Sequence, residues 1–267
     1  MVGATVSDRE ANSQPGLEEV MNIRTAIIVG ASSGIGAGLV AALVSRGTRV
    51  AAVARRKNSL QALADSCQDG KSSVIVREHD VLNLDDAPIA FDELVKALGG
   101  SVDLVIYSAG VMPEIEEGEY NTRKDRNIVD VNLTGAIAWL NLAAAHMESR
   151  GAGTLVGISS VAGDRGRRGN PVYTAAKAGL TTYLEALRNR MSRYGVHVVT
   201  VKPGPVATDM TRGTALPLMI PVDRCVAGIL AAVDRGRPMT TYIPGVWRAI
   251  MSIIRLVPSV VFRRTNI

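Results

Sequence analysis

The sequence has few cysteines and few histidines. Cys67 and Cys225 are the only thiols among 267 residues, and neither lies in a Cys-x-x-Cys motif. A disulfide framework or a cysteine-based zinc site is therefore not expected, and a reducing, cytoplasmic location fits this usage. The 3 histidines match no metal-ligand spacing, so no metal site is predicted.

Aromatic residues are also scarce, at 4% of the chain, although lysine and arginine outnumber aspartate and glutamate by 30 to 25. A net charge of +5 suits nucleic acid, an anionic lipid surface or an anionic cofactor as a partner. Binding of single-stranded nucleic acid depends on stacking aromatic side chains. With few aromatics and no supporting motif, no nucleic-acid partner is predicted, whereas lipid and cofactor stay open.

Residues 1–22 are polar and have no apolar run of the kind found in secretion signals, so we predict a flexible tail. From 23 to 245, short apolar runs alternate with segments of helical apolar spacing. Strands are predicted at 25–29, 49–54, 73–77, 102–107, 154–159, 196–202 and 240–243. Helices are predicted at 35–45, 58–67, 86–98, 123–150, 172–194 and 223–235. This alternation predicts an α/β fold: a single-domain, Rossmann-type, doubly wound parallel sheet.

The first predicted strand runs into a glycine-rich loop, Gly-Ala-Ser-Ser-Gly-Ile-Gly, which opens a helix. Glycines allow a tight turn and a close backbone approach to phosphate, and the helix N-terminus offers unpaired N–H groups. Such a turn can be purely structural, but its place between strand and helix favours dinucleotide binding. The predicted cofactor contacts here are Gly30, Ser32, Ser33, Gly34, Ile35 and Gly36.

The end of the second predicted strand distinguishes the two nicotinamide cofactors. NAD-binding proteins place an acidic residue here for the ribose 2′-hydroxyl, whereas this sequence has Arg55, Arg56 and Lys57. Guanidinium groups suit a 2′-phosphate. The alternative is an exposed basic helix start, although a cation is unfavourable at a helix N-terminus. We therefore predict NADP(H), bound by Arg55 and Arg56.

Tyr173 and Lys177 stand four residues apart at the start of a predicted helix, so they share one helical face. A phenol with a pKa of about 10 is a poor base at neutral pH, and a nearby ammonium lowers that pKa. A tuned tyrosine can exchange a proton with a carbonyl or alcohol oxygen. A partly buried tyrosine beside a solvated lysine would give the same spacing.

Several motifs in the same order resemble those of the short-chain dehydrogenase/reductase family and span nearly the whole predicted domain. The matching stretches are Gly30–Gly36, Asp80, Val131–Gly135, Ile158–Gly163, Tyr173–Lys177 and Pro203–Thr208. The resemblance implies an NADP(H)-dependent oxidoreductase that moves a hydride between the nicotinamide and a carbonyl or secondary alcohol. It also implies a homodimer or homotetramer, through the helices around Asn132 and Tyr173. The alternative on the same fold is a non-catalytic NADP(H) sensor.

The resemblance also implies roles for individual residues. Tyr173 would be the acid/base, and Lys177 would lower its pKa and hold the nicotinamide ribose. Ser160, rather than Ser159, would hydrogen-bond the substrate oxygen, and Asn132 would place a water in a proton relay and bend its helix. Asp80 and Val81 would contact adenine, and a loop would hold the nicotinamide through Pro203, Gly204, Val206 and Thr208.

One segment departs from the family pattern. The family usually has Asn-Asn-Ala-Gly after the fourth strand, where this sequence has Tyr107, Ser108, Ala109 and Gly110. Ser108, Ala109 and Gly110 keep the predicted cofactor contact. Because the two asparagines of the family pattern are missing, some hydrogen bonds that stabilise the sheet in the family are in doubt here.

Two segments bear on the substrate, a small molecule with a carbonyl or alcohol group. The apolar residues Met210 and 216–220 suggest an apolar substrate, or ordinary core under a loop. The arginines at 165, 167 and 168 could meet an anionic group, or could be solvated.

The C-terminal segment 246–267 is predicted to be an amphipathic helix interrupted at Pro258. Trp247, Ile250, Met251 and Ile254 form the apolar stripe, and the polar stripe contains Arg248, Ser252, Arg255 and Ser259. The segment is too short and too charged to span a bilayer. It could lie on an anionic membrane surface, cover the subunit's own cavity or form a dimer seam.

Overall fold

The computed structural model describes residues 22–67, 73–116 and 118–265, so the predicted tail falls outside the described residues except for Asn22. Strands and helices alternate along the described chain. The strands are β1 (Thr25–Val29), β2 (Arg49–Ala54), β3 (Val74–Glu78), β4 (Leu104–Tyr107), β5 (Gly153–Ile158), β6 (Val196–Pro203) and β7 (Met239–Ile243). The helices are α1 (Gly34–Ser45), α2 (Lys57–Ser66), α3 (Ala87–Ala97), α4 (Thr122–Val129), α5 (Gly135–Arg150), α6 (Pro171–Met191), α7 (Val222–Asp234), α8 (Val246–Leu256) and α9 (Ser259–Phe262).

The seven strands form one sheet in the order β3-β2-β1-β4-β5-β6-β7, and each neighbouring pair is parallel. The predicted α/β, doubly wound parallel sheet is therefore confirmed. Chain order runs outward from β1 in one direction to β3, and from β4 in the other direction to β7. The order reverses between β1 and β4, and at such a reversal an open α/β sheet leaves a crevice for ligands.

Apolar side chains cover both faces of the sheet, because successive residues of a strand point to opposite sides. Ile27 and Val29 of β1 join a core that contains Trp139 of α5 and Leu184 of α6. On the other face, Ala26 and Ile28 pack with residues of α1 and α7. The continuous apolar runs in the sequence follow from this burial on two sides.

The long helix predicted over 123–150 is not continuous. It consists of α4, a single π-helical turn at Asp130–Thr134, and α5. The extra residue in the π turn disturbs the regular backbone hydrogen bonds of the helix. Side chains donate to two backbone carbonyls at this point. Asn132 Nδ2 donates to the Ile128 carbonyl at 2.9 Å, and the Tyr107 hydroxyl donates to the Val131 carbonyl at 2.6 Å.

Tyr107 therefore performs a structural task at the point where the sequence departs from the family pattern. Its side chain is fully buried at the end of β4, and burial raises the pKa of its hydroxyl. A Cβ on Gly135 would lie 2.8 Å from this hydroxyl oxygen, so the glycine gives the phenol room. Although the amides usual in the family are missing here, the Tyr107 hydroxyl supplies a hydrogen bond that connects β4 directly to the π turn.

The helical stretch Thr122–Arg150 is also long and apolar enough to cross a membrane by length and composition. Half of its most apolar window is buried inside the domain. Trp139, Leu140 and Met147 belong to the core on one face of the sheet. A buried core helix meets the same criteria of length and composition, and this helix has that position here.

The C-terminal segment forms α8 and α9, which are separated at Val257 and Pro258. The predicted apolar stripe packs on the domain itself: Trp247 and Met251 are buried against Val161, and Ile250 and Ile254 lie beside them. Several apolar residues outside that stripe face solvent, namely Val246, Ile253, Leu256, Val260 and Val261. The sequence pattern identified the apolar stripe but left open what covers it, and it did not reveal this second, exposed apolar surface.

We predict that Tyr107→Phe lowers the free energy of unfolding by about 1–3 kcal/mol, because the buried Val131 carbonyl loses its donor. Urea unfolding measures the change. The matched control is Tyr183→Phe, whose exposed hydroxyl bonds Asn141 Oδ1 at 2.9 Å and should matter by less than about 0.5 kcal/mol. Equal effects of the two substitutions would contradict this account of the π turn.

Candidate active site

A cavity of about 420 Å³ opens at the carboxyl ends of β1 and β4, where the strand order reverses. Its volume is in the range of small-molecule sites. It extends from the loop after β2 to the start of α6 and to α8. Most of the predicted site residues line it: Gly30, Ser32, Ser33, Gly34, Ile35, Arg55, Arg56, Val81, Ser108, Ala109, Gly110, Ser160, Tyr173, Lys177, Pro203, Gly204, Val206 and Thr208.

Three predicted site residues do not line this cavity. Gly36 lies one layer behind it, where a Cβ would overlap the carbonyl of Gly30. Asp80 closes a local turn, since its Oδ1 accepts from the Leu82 N–H at 3.0 Å. Asn132 is fully buried beneath the wall. These three residues would affect a bound ligand indirectly, by positioning the neighbouring residues that line the cavity.

The glycine loop permits a close approach between two backbone segments. A Cβ on Gly30 would overlap the backbone of Ala109, and Gly30 has φ = +90°. Gly36 lets the first turn of α1 pack directly against the loop. The N-terminus of α1 therefore faces the cavity with its free N–H groups, as phosphate binding requires.

Arg56 binds the glycine loop from the end of β2. Its guanidinium donates to Ser32 Oγ at 2.9 Å and to Ser33 Oγ at 2.6 Å. Within the described residues, no carboxylate pairs with it. Arg55 is more exposed and lies 3.9 Å from Asp80 Oδ2. Two guanidinium groups and two hydroxyls thus surround one end of the cavity, a set that suits a phosphate group.

Tyr173, Ser160 and Lys177 meet at the other end of the cavity. Tyr173 and Ser160 both line the cavity and are close enough for Ser160 to lower the pKa of Tyr173, and Ser160 Oγ accepts from the Ala162 N–H at 3.1 Å. The Lys177 ammonium donates to the Ile158 carbonyl at 2.9 Å and lies 5.8 Å from the centre of the Tyr173 ring. The hydroxyls of Tyr173 and Ser160 can therefore bind one oxygen of a ligand together.

The neighbouring Ser159 has a different environment. Its hydroxyl is buried, donates to the Lys177 carbonyl at 2.9 Å and lies 2.8 Å from Thr181 Oγ1. These contacts fasten the end of β5 to α6. Ser160, one residue later, has extended backbone and begins the short 3₁₀ turn Val161–Asp164. This change of direction places Ser160, and not Ser159, next to Tyr173.

Burial has the largest effect on the pKa values of Tyr173 and Lys177. Burial raises the pKa of Tyr173, whereas the neighbouring Ser160 and the positive charge of Arg167 lower it. The lowering of the Tyr173 pKa by Lys177 stays a prediction, with the Lys177 ammonium 5.8 Å from the centre of the Tyr173 ring. The ammonium is bound to the Ile158 carbonyl, and burial lowers its own pKa to about 8.

Asn132 connects the π turn to the segment after β4. Its Nδ2 donates to the Val111 carbonyl at 2.8 Å, and its Oδ1 accepts from the Val111 N–H at 3.3 Å. A Cβ on Gly110 would lie 2.9 Å from Asn132 Oδ1 and 3.6 Å from Lys177 Nζ. Asn132 thus sits behind Gly110 and close to Lys177, in the bend that the sequence predicted.

The sequence matches the short chain dehydrogenase family over residues 24–216. The chain belongs to the short-chain dehydrogenase/reductase family. An uncharacterized oxidoreductase from Myxococcus xanthus is 40% identical over 198 residues, which cover 74% of this chain and 78% of that protein. An uncharacterized oxidoreductase from Mycobacterium tuberculosis is 31% identical over 245 residues and covers 89% of this chain and 95% of its own. The chain is therefore an oxidoreductase of this family.

Solved structures of the family have the same fold. A short chain dehydrogenase from Burkholderia cenocepacia in complex with NADP superposes with a TM-score of 0.78 at 24% identity, covering 92% of this chain and 98% of its own. A short-chain dehydrogenase from Sphingobium yanoikuyae in complex with NADPH gives 0.75 at 26% identity, covering 89% and 98%. This family binds a nicotinamide cofactor and small-molecule substrates.

Sequence reasoning missed several cavity residues of this short-chain dehydrogenase/reductase. His79 follows β3 and is buried, with Nδ1 2.9 Å from Asp86 Oδ2. Trp247 of α8 was assigned to the apolar stripe, but it also lines the cavity beside Gly204. Met112 comes from an irregular segment with no sequence signal. Arg167 was not missed, because the sequence already indicates it, with Arg165 and Arg168, as a candidate for an anionic group. The fold shows that it is the one of the three that lines the cavity.

Proposed function

We propose that this short-chain dehydrogenase/reductase uses NADP(H) to interconvert a carbonyl compound and a secondary alcohol, with Tyr173 as the acid/base. One observation carries the proposal. Tyr173 and the neighbouring Ser160 line the same cavity as the glycine loop and Arg56. Proton exchange and phosphate binding can therefore serve a single bound pair of cofactor and substrate.

The residues present fit the cofactor. Gly30 and Gly36 leave no room for a Cβ beside the loop, and this packing aims the α1 N-terminus at the cavity for the pyrophosphate. Arg55 and Arg56 would hold the 2′-phosphate. Lys177 would donate to the ribose of the nicotinamide. When bound, the nicotinamide supplies or accepts the hydride.

The proton would move through Tyr173. In reduction its hydroxyl donates a proton to the substrate oxygen, and in oxidation its oxygen receives that proton. The Ala162 N–H already donates to Ser160 Oγ, which leaves the Ser160 hydrogen free to be donated to Tyr173 or to a ligand oxygen. Arg167 and Ser160 favour the ionised tyrosine against the effect of burial. Asn132 would hold Gly110 and the π turn in place behind Lys177.

Replacing Tyr173 with Phe should lower kcat at least about 100-fold, the usual size of a lost general acid/base. Binding of NADPH should be unchanged within about twofold. A panel of aldehydes, ketones and secondary alcohols, followed by cofactor absorbance, measures turnover. Tyr183→Phe on the same helix is the matched control, since Tyr183 lies outside the cavity lining.

Full turnover by the Tyr173→Phe enzyme would refute the acid/base assignment. A wild-type protein that binds NADPH but turns over nothing on the panel would favour the alternative, a non-catalytic NADP(H) sensor. The intact set of Ser160, Tyr173 and Lys177 argues against a pure sensor, which has no need of all three.

Replacing Arg55 and Arg56 together with Gln should raise the Kd of NADPH about 10- to 100-fold, because charged hydrogen bonds contribute about 1.5–3 kcal/mol. The Kd of NADH should change much less, because NADH carries no 2′-phosphate. Fluorescence titration of both cofactors measures the difference. Equal weakening of NADPH and NADH would rule out the 2′-phosphate contact.

We also propose that the exposed surface of α8 and α9 lies on an anionic membrane. Ile253 is 67% and Leu256 83% exposed, and the stretch 246–267 contains four arginines and no acidic residue. An interface between two copies related by twofold symmetry would place like charges together. Apolar and cationic side chains side by side suit the surface of an anionic bilayer.

Vesicles that contain phosphatidylserine should co-sediment the wild-type protein, and pure phosphatidylcholine vesicles should not. Ile253→Gln with Leu256→Gln should abolish this binding while NADPH affinity is unchanged, because the inward face with Trp247 and Met251 is intact. Equal co-sedimentation of wild type and double variant would refute the membrane contact. A concentration-dependent dimer lost in the same variant would assign the surface to self-association instead.

Two further proposals rest on the resemblance to the family and on cysteine usage. We propose a homodimer or homotetramer assembled through the helices that carry Asn132 and Tyr173, and a cytoplasmic location. A monomer in light scattering at micromolar concentration would refute the first. Export of the full chain from the cell would refute the second.

A further inference from the structure

The loop at residues 163–170 connects the 3₁₀ turn after Ser160 to helix α6, and it carries three arginines. In the sequence these arginines are equivalent. In the structure they serve two different purposes, because two of them contact the C-terminal helices and the third faces the cavity.

Arg165 and Arg168 fasten the C-terminal segment. Arg165 donates to the carbonyls of Ile254 and Val257 at 2.5 and 2.6 Å, and its guanidinium lies 4.1 Å from the centre of the Phe262 ring. Arg168 donates to the Arg263 carbonyl at 3.4 Å. Both contacts use carbonyls at the ends of α8 and α9, where cations are favourable.

Arg167 lines the cavity together with Tyr173 and is half-buried. Within the described chain it makes no hydrogen bond or ion pair. The carboxylate whose charge acts on Arg167 is that of Asp164, but each of its two oxygens already accepts a hydrogen bond from another residue. Lys202 Nζ donates to one of them, and the Tyr242 hydroxyl donates to the other at 2.8 Å.

A half-buried guanidinium without a bound counter-ion is unfavourable, because it has lost part of its hydration and gained no partner. Burial lowers the pKa of Arg167, and the nearby Tyr173 and Asp164 oppose that change. Arginine keeps its charge in proteins under all ordinary conditions. An anionic group of a ligand could therefore form the ion pair with Arg167 that no described residue of the protein forms.

The rest of this end of the cavity is mainly apolar. Met112, Met210, Leu216, Pro217 and Trp247 contribute to the cavity wall. The carboxylate of Asp209 also lines the cavity, and it is paired with Arg212. The other cation at this end, Lys177, already donates to the Ile158 carbonyl. A guanidinium fork can bind two oxygens of a carboxylate or of a phosphate. A carboxylate carries one negative charge and so balances the single charge of Arg167, whereas a phosphate dianion would leave one negative charge without a partner.

We propose that Arg167 binds a carboxylate on the substrate, so that the enzyme acts on carbonyl compounds with an apolar body and a carboxylate group. The carbonyl oxygen would lie at Tyr173 and Ser160, and the apolar body would contact Met112 and Leu216. This inference rests on the proposed function and narrows its substrate class. It assigns Arg167 to the substrate and not to the cofactor, whose extra phosphate would lie at Arg56.

The first test compares two probes that differ at one end by a negative charge and a methyl group, 4-formylbenzoate and methyl 4-formylbenzoate, with NADPH as the reductant. Arg167→Gln should lower kcat/KM for the carboxylate about 10- to 100-fold more than for the ester, since the lost contact is a charge-assisted hydrogen bond. Arg167→Lys, which keeps the charge but loses the fork, should fall between wild type and Arg167→Gln.

The matched control is Arg168→Gln, which removes the same charge from the same loop but from a side chain that bonds the Arg263 carbonyl. It should leave the ratio of the two kcat/KM values unchanged. Equal losses on both probes in Arg167→Gln would mean that Arg167 acts only through Tyr173, and would overturn the proposal. No loss on either probe would overturn it as well.

The second test does not depend on turnover. Calorimetry on the protein with bound NADP⁺ should show tighter binding of 4-methylbenzoate than of 4-methylbenzamide, and Arg167→Gln should abolish that preference. Wild-type protein without the preference would refute the carboxylate site even if both aldehydes are reduced. A preference that depends on Arg167, in a protein that reduces no carbonyl, would leave the site standing and refute the reductase function.

Discussion

The close contact between the backbones of Gly30 and Ala109 is the constraint on which the site depends. It occurs where β1 and β4 end side by side, at the reversal of strand order. Any side chain at Gly30 would separate the two segments. The contact fixes the start of α1 on one side and the chain leading to Gly110 on the other, so one crevice receives both the helix N-terminus and the residues around Lys177.

The end of the cavity at Tyr173 is formed by groups that compensate for burial in different ways. Lys177 is bound to a backbone carbonyl, and Asn132 is bound to Val111 and Ile128. Ser160 lowers the pKa of Tyr173 against the effect of burial, and Arg167 carries a charge that no described residue pairs. The groups with unused hydrogen-bonding capacity face the cavity, whereas the satisfied groups support them from behind.

The sequence predicted the sheet and its parallel pairing from the periodicity of apolar residues, and the glycine loop, Arg55, Arg56 and the Tyr-Lys pair from local spacing. The rest of the predicted cavity wall came from the resemblance to the family. Every strand begins and ends within two residues of its predicted position. The resemblance to the family implied a bend at Asn132, but the π turn itself was not predicted, since the Tyr107 hydroxyl that binds its Val131 carbonyl comes from the end of β4. The separate directions of Arg165, Arg167 and Arg168 also depend on where the C-terminal helices pack, which no local pattern encodes.

Transfer of label from the cofactor tests the central claim most directly. The wild-type protein is incubated with [4,4-²H₂]NADPH and the panel of aldehydes and ketones, and the products are analysed by mass spectrometry. The account predicts an alcohol with one deuterium on the former carbonyl carbon, and none above background with Tyr173→Phe. Alcohol formed without deuterium, or the same labelled alcohol at full rate from Tyr173→Phe, would contradict it.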